Sequence, residues 1–234
     1  MSKVFGVRDQ ISPKGKVEVF VSKGKPTLSL GEKVVRTGRA LELEKQGRIP
    51  PLYKSETISF KDGQLIDKQE IYNIIVNNGK DRVIESLTNG FVNIIARMAI
   101  GDRGAIPSDQ TVFKVPTDDM DALYNEVFRS DLDATILDTG SEDTHEVKFI
   151  RTFSAIDPDL PITAFSNQAV PLVNEVALIM ADLFTGDPLP RAAVASPATP
   201  PDDESMFSIR TFKSVPFDAA NEIAITIRYT IFIE

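Results

Sequence analysis

Between positions 221 and 234 the chain alternates, with Ile223, Ile225, Ile227, Tyr229, Ile231 and Ile233 at odd positions and Ala224, Thr226, Arg228, Thr230, Phe232 and Glu234 at even ones. Period-two alternation of β-branched and aromatic side chains predicts a strand with one buried face. At 3.3 Å per residue it would run roughly 40 Å. Such a segment stays ordered only when tied into a sheet. The pattern therefore predicts a central strand of an antiparallel sheet, with Ile223, Ile225, Ile227, Tyr229 and Ile231 in the core and Thr226 and Arg228 on the wetter face.

Upstream, residues 16–21 and 27–30 alternate around Ser22-Lys23-Gly24-Lys25-Pro26, which predicts a hairpin too small to stand alone in water. A short helix is expected over 39–47, before the rigid Ile49-Pro50-Pro51-Leu52. Asp62-Gly63 between 57–61 and 64–66 predicts a second hairpin with a two-residue turn. The period of 70–76 is ambiguous between helix and strand. Asn77-Asn78-Gly79 opens a helix over 80–88, with Val83, Ile84 and Leu87 on one packing stripe and Asn89-Gly90 as its stop. A strand over 91–100 places Ile94, Ala96, Met98 and Ile100 on one face. It ends in Gly101-Asp102-Arg103-Gly104, a tight connection that lacks the Gly-Lys-Ser/Thr of a phosphate loop. Further strands are expected at 126–137, 147–155, 173–183 and 206–213, and 186–204 reads as a long proline-rich loop.

No βαβ alternation occurs, so the expected class is mainly β (α+β): an antiparallel β-sandwich with one or two short helices and an extended N-terminal arm. The arm is 1–54, basic and carrying the hairpin; the sandwich body is 55–234.

Composition narrows the chemistry. With 234 residues and 42% hydrophobic content the chain can bury a sizeable core. No apolar run approaches the ~18 residues of a membrane span. Met1-Ser2-Lys3-Val4-Phe5 lacks the apolar core of a secretory signal, so a soluble product made in the cytoplasm is expected. Having no cysteine excludes disulfides, Cys-ligated zinc, iron–sulfur clusters and cysteine nucleophiles. The single histidine, His145, follows Asp143-Thr144 in a polar turn and reads as an exposed loop residue rather than a triad member.

The net charge of −8 divides unevenly: residues 1–54 carry +7 and the remainder −15. Lys14, Lys16, Lys23, Lys25, Lys33, Arg36 and Arg39 are the candidate partner-binding residues of that arm, either docking on an acidic neighbour such as another copy's body or forming an ordinary solvated face. Nucleic acid is not the expected partner, because Phe5, Phe20 and Tyr53 are too widely spaced for a stacking platform.

Acidic groups recur at Asp118, Asp119 and Asp121, at Asp131 and Asp133, at Asp157 and Asp159, and at Asp202, Asp203 and Glu204. None has EF-hand spacing, and acids in turns more often solubilise loops or cap helices, so no metal and no cofactor are expected. A glycosidase needs two carboxylates across a cleft, and nothing in the spacing selects a pair; tryptophan for a sugar platform and a Gly-x-Ser-x-Gly elbow are both missing. The sequence gives no positive sign of an enzyme.

Three segments carry a resemblance. Ala96-Arg97-Met98-Ala99-Ile100-Gly101-Asp102 with its following Gly/Pro turn, Leu123-Tyr124-Asn125-Glu126-Val127-Phe128-Arg129, and Val173-Asn174-Glu175-Val176-Ala177-Leu178 resemble the amino-terminal attachment module of phage tail-collar and tail-fibre proteins. Arg210-Thr211-Phe212-Lys213 with 223–234 resembles that module's closing hairpin, and the match spans about 70–234. Because the chain stops on the closing strand where a fibre would continue, the resemblance implies a stand-alone virion adaptor in the tail, baseplate or collar. Its implied partners are other copies of itself, as a ring or trimer, and tail, baseplate or fibre subunits; no membrane is involved. The alternatives are a capsid decoration or neck protein and, from another class, a carbohydrate-binding or hydrolytic sandwich module.

Overall fold

The computed structural model describes residues 14–47, 49–89, 93–138, 145–160, 162–182, 194–195 and 204–233. β1 (Lys14–Lys23), β2 (Thr27–Leu30), α1 (Gly38–Lys45), β3 (Leu52–Tyr53), β4 (Glu56–Ser59), β5 (Leu65–Tyr72) and β6 (Ile74–Ile75) lead into α2 (Asn77–Asn89). β7 (Asn93–Gly101), β8 (Ala105–Ile106), β9 (Asp109–Phe113), β10 (Glu126–Asp131) and β11 (Ala134–Asp138) follow. β12 (His145–Ser154), a 3-10 turn at Ile162–Ala164, β13 (Leu172–Asp182), β14 (Val194–Ala195), β15 (Glu204–Pro216) and β16 (Ile223–Ile233) complete the order.

Two six-stranded sheets face each other: β3, β11, β12, β16, β1, β5 in the first and β14, β10, β7, β13, β15, β6 in the second. The expected antiparallel sandwich is present, with one parallel contact, β3 on β11. β16 is central, paired with β12 through Phe153↔Ile225 and with β1 through Val19↔Ile227. Its odd side chains Ile225, Ile227 and Tyr229 are fully buried, with Ile223 and Ile231 nearly so. They join Met98, Ile100, Val176, Leu178, Phe207 and Phe212 of the second sheet in one apolar core. Burying an isoleucine of this kind contributes about 1.5–3 kcal/mol.

The even face of β16 corrects the expectation of a wet surface: Ala224, Thr226 and Thr230 are buried and Arg228 is half-buried. The small β2–β4 sheet lies over it as a third layer, with Leu28 and Leu30, beside Tyr53 of β3, packed on Ala134, Ile136 and Ile150. Phe60 meets Phe20 at 5.7 Å between ring centroids.

This layer also corrects the N-terminal hairpin and the separate arm. β1 pairs with β16 and β5, whereas β2 pairs with β4. The turn at 22–26 carries the chain out of the first sheet onto its outer face instead of back along β1. Two full ladders outweigh one local hairpin, because each further pair of β1 buries another side chain in the core. The Asp62-Gly63 turn exists, with Gly63 at φ 71° and Gln64 N–H bonded to Lys61 O at 2.9 Å. It connects β4 of the third layer to β5 of the first sheet and so makes no hairpin ladder.

Three other segments change sheets. Residues 70–76 resolve into β5 and β6, which lie in different sheets on either side of Asn73. The expected strand 126–137 is split at Leu132-Asp133 into β10 of the second sheet and β11 of the first. β15 and β16 face each other across the core rather than forming a closing hairpin.

The expected helices occur as α1 and α2. The α2 stripe is not buried as expected, since Val83 and Ile84 are 40% and 57% exposed, and the Leu87 side chain lies outside the described residues. The helix docks by its first turn: a Cβ on Gly79 would fall 2.8 Å from Phe207 Cα, so only glycine permits the approach. His145 opens β12 opposite Ile233 rather than sitting in a loop; both of those side chains, and residues 139–144, lie outside the description. Within the expected loop 186–204, Val194–Ala195 adds to β10 and Glu204 begins β15, while 186–193 and 196–203 lie outside the described residues.

Candidate functional site

The three segments of the resemblance converge on one carboxylate. β13 presents Asn174 and Glu175 side by side, both fully buried. Glu175 Oε1 accepts the backbone N–H of Arg103 at 3.0 Å and of Asn125 at 2.9 Å, and Oε2 accepts that of Tyr124 at 2.8 Å. Asn174 Oδ1 accepts Gly104 N–H at 2.7 Å, and its Nδ2 donates to Asp102 O and Ser214 Oγ. Asp102 in turn accepts Asn125 Nδ2 at 2.6 Å and both the backbone N–H and hydroxyl of Ser166. Burial pushes the Glu175 carboxyl up; the three backbone N–H groups only partly offset this, and the Asp102 charge adds to it. The site fixes the 101–104 and 123–125 turns against the end of β13, and every Glu175 oxygen is already occupied from within the chain.

Gly101 is required at this place. A Cβ there would lie 2.5 Å from Glu175 Oε1 and closer still to Asn125 O.

A second polar centre lies across β7, β10 and β15. Arg97 Nη1 and Glu204 Oε1 are 2.8 Å apart, and Arg129 Nη1 pairs with Glu204 Oε2. Arg129 also grips Glu126 through Nε and Nη2, and Arg97 Nε donates to Asp131 at 3.2 Å. Burial would lower the Arg129 pKa, but Glu126 and Glu204 outweigh it and hold the guanidinium above its ordinary value.

A third centre lies under the β2–β4 layer. Glu18 Oε2 accepts Arg228 Nε at 2.6 Å, Lys68 Nζ sits 2.9 Å from Glu18 Oε1, and Arg228 Nη1 donates to Glu56 at 3.0 Å. Several members of the recurring acidic groups have structural partners: Asp133 binds Arg151 and Thr152 N–H, and Asp157 caps Asp159 N–H. Among the described residues no three His, Cys, Asp or Glu side chains gather as a metal site. Among them, too, no helix is long and apolar enough to cross a membrane.

The five candidate arm cations with described side chains do not form one patch. Lys16 bridges Glu70 at 2.8 Å on the first sheet. Lys23 and Lys25 are exposed at the turn after β1. Lys33 and Arg36 converge on Glu44 of α1, at 2.5 and 3.4 Å. The side chains of Lys14 and Arg39 lie outside the description. Arg36 also donates to Pro50 O and helps wall an apolar cavity of about 270 Å³ lined from both sheets by Phe149, Met180 and Phe207.

One exposed surface does not follow from the sequence pattern alone. β5 ends the first sheet, with β1 on one side and no strand among the described residues on the other. Its even side chains alternate outward as Ile66, Lys68, Glu70 and Tyr72, and Ile66 and Tyr72 are 58% and 75% exposed. The Gln69 amide faces the other way and bonds Lys213 N–H and O at 2.9 and 3.2 Å, which ties the strand to β15. The alternation at 66–72 carries this signal in the sequence, where 64–66 reads as a hairpin arm and 70–76 is ambiguous between helix and strand.

No family model, no curated protein and no solved structure matches the chain.

Proposed function

We propose that this chain is a structural protein of a tailed bacteriophage particle, an adaptor in the tail, baseplate or collar region that anchors tail fibres. The observation that carries the reading is the convergence of the three resembling segments. The turn after β7, Tyr124-Asn125 and Asn174-Glu175 are far apart in sequence yet share one carboxylate. A constellation of this kind is a module's internal fastening, and it leaves the outer faces and strand edges to meet neighbours. In this reading the protein is located in the virion, works without cofactor or catalysis, and binds further copies of itself and tail, baseplate or fibre subunits. In this reading subunits meet by outer faces and strand edges, with β1 already paired along both of its own edges within the chain.

The test is to image intact particles from a producing host with an antibody against this chain. Label at the tail, baseplate or collar is expected. Label confined to the capsid moves the protein to a decoration role, and particles without label end the virion reading.

A further inference from the structure

We propose that β5 is a homodimer edge: two copies join antiparallel through β5 about a twofold axis at Gln69, making one continuous sheet of twelve strands, six from each copy. This does not rest on the virion reading.

An open edge presents unpaired backbone N–H and C=O groups and accepts any strand whose side chains suit it. The side chains of β5 suit themselves. Opposed residues in a continuous antiparallel sheet point to the same face, so a twofold axis must pass through a residue. With the axis at Gln69, Ile66 faces Tyr72 of the second copy, Lys68 faces Glu70, Glu70 faces Lys68 and Tyr72 faces Ile66. Two apolar pairs enclose two opposite-charge pairs. On the other face Gln69 meets its own copy, and Asp67 stands opposite Ile71. Moving the axis to Lys68 would set lysine against lysine, and moving it to Glu70 would set glutamate against glutamate. Charge thus selects one register out of the three available near the strand centre.

The charges are already placed for this. Lys68 is held by Glu18 at 2.9 Å and stands over the Phe20 ring at 5.3 Å, and Glu70 is held by Lys16 at 2.8 Å. Both remain about half exposed, at 43% and 53% of the side chain. Across the axis their alternation continues without a like-charge neighbour. The two bonds from Gln69 to the Lys213 backbone anchor β5 to β15, so little ordering is left to be done on association.

The test uses the full chain. Sedimentation over a range of concentrations should show a monomer–dimer equilibrium. Because the protein has no cysteine, single engineered thiols report on register directly. Under mild oxidation an equimolar mixture of Ile66→Cys and Tyr72→Cys chains should give a disulfide-linked heterodimer, while each alone should not, since like positions are six residues out of register. The double substitution Ile66→Lys/Tyr72→Lys, at exposed positions, should weaken the dimer at least tenfold while leaving the thermal transition in place. A monomer at every concentration overturns the proposal and leaves the edge to a strand from another protein. An oligomer indifferent to Ile66→Lys/Tyr72→Lys, or crosslinking of Ile66→Cys to itself, overturns it equally.

Discussion

Glu18 and Glu175 are carboxylates with almost no exposed surface, 4% and 0%, but Glu175 lies deeper in the protein and the two are held by different means. Under the β2–β4 layer, Glu18 is surrounded by cations. Burial pushes its pKa up, but hydrogen bonds from Lys68 and Arg228 and the charges of Arg228 and Lys16 outweigh it, leaving the group below its ordinary value. At the end of β13, Glu175 has three backbone N–H donors and no cation, and burial wins. Peptide N–H groups orient a carboxylate but bring no net charge, so they offset desolvation less than guanidinium and ammonium groups do. The first centre binds two layers by charge, and the second binds three turns by geometry.

The largest break in this comparison is Glu175→Ala. It strands the N–H groups of Arg103, Tyr124 and Asn125 in a dry site. At roughly 1–3 kcal/mol for each unsatisfied donor, a loss of about 4 kcal/mol is expected. Urea denaturation checks it, and a change below about 1 kcal/mol would show that the turns hold without the carboxylate.

Next comes Gly101→Ala, which drives a methyl group against Glu175 Oε1 and Asn125 O. Overpacking here should cost about 2–3 kcal/mol. The double variant with Glu175→Ala should cost less than the two losses together, because the obstruction is removed with the carboxylate.

Arg228→Met acts at the other centre. It takes one partner from Glu18 and one from Glu56, but Lys68 and Lys16 remain and the site is partly wet, so about 2 kcal/mol is expected. Raising the salt concentration should shrink this difference and leave that of Glu175→Ala unchanged, and equal salt dependence would dissolve the distinction.

The smallest effects are in pH. The raised pKa of Glu175 means that the folded state holds its proton more tightly. Its stabilising contribution is complete below the unfolded value of about 4.3 and is lost as pH rises through the folded value. The lowered pKa of Glu18 contributes above about 4.3 and is lost as pH falls through the folded value. Urea midpoints between pH 3 and pH 8 should therefore show Glu175→Gln flattening the decline above pH 4.3 and Glu18→Gln flattening the acid limb. Parallel curves for both variants would count against the two opposite shifts.

Local patterns located the elements but not their partners. The alternation of β16 was legible because its odd face is entirely apolar. The dryness of the even face was not, because the cover comes from 27–60, about 170 residues away, with Glu56 completing Arg228. The sequence Ser22-Lys23-Gly24-Lys25-Pro26 turns a chain equally well whether the next strand returns beside β1 or leaves for another layer. The same limit hid the breaks at Asn73 and Leu132-Asp133, where one apolar run serves two sheets. Asn174 and Glu175 did leave a trace, as two polar residues interrupting the apolar run of β13. Without the positions of the 101–104 and 123–125 turns, that trace could not be told from two ordinary surface residues.

The pairing of β1 with β16 also governs when the molecule can form. Glu18 and Arg228, in contact across that ladder, are 210 residues apart in sequence. During synthesis at about 5–20 residues per second, β1 leaves the ribosome well before its partner exists. For at least about ten seconds Val17, Val19 and Val21 have no β16 to close over them. The second sheet, whose β7, β10 and β13 emerge within one stretch, can assemble first, and the first sheet closes only when β16 has emerged. The nascent chain thus carries an unfinished sheet while the residues between β1 and β16 are made, and a folding factor that shields apolar strands would act on it during that interval.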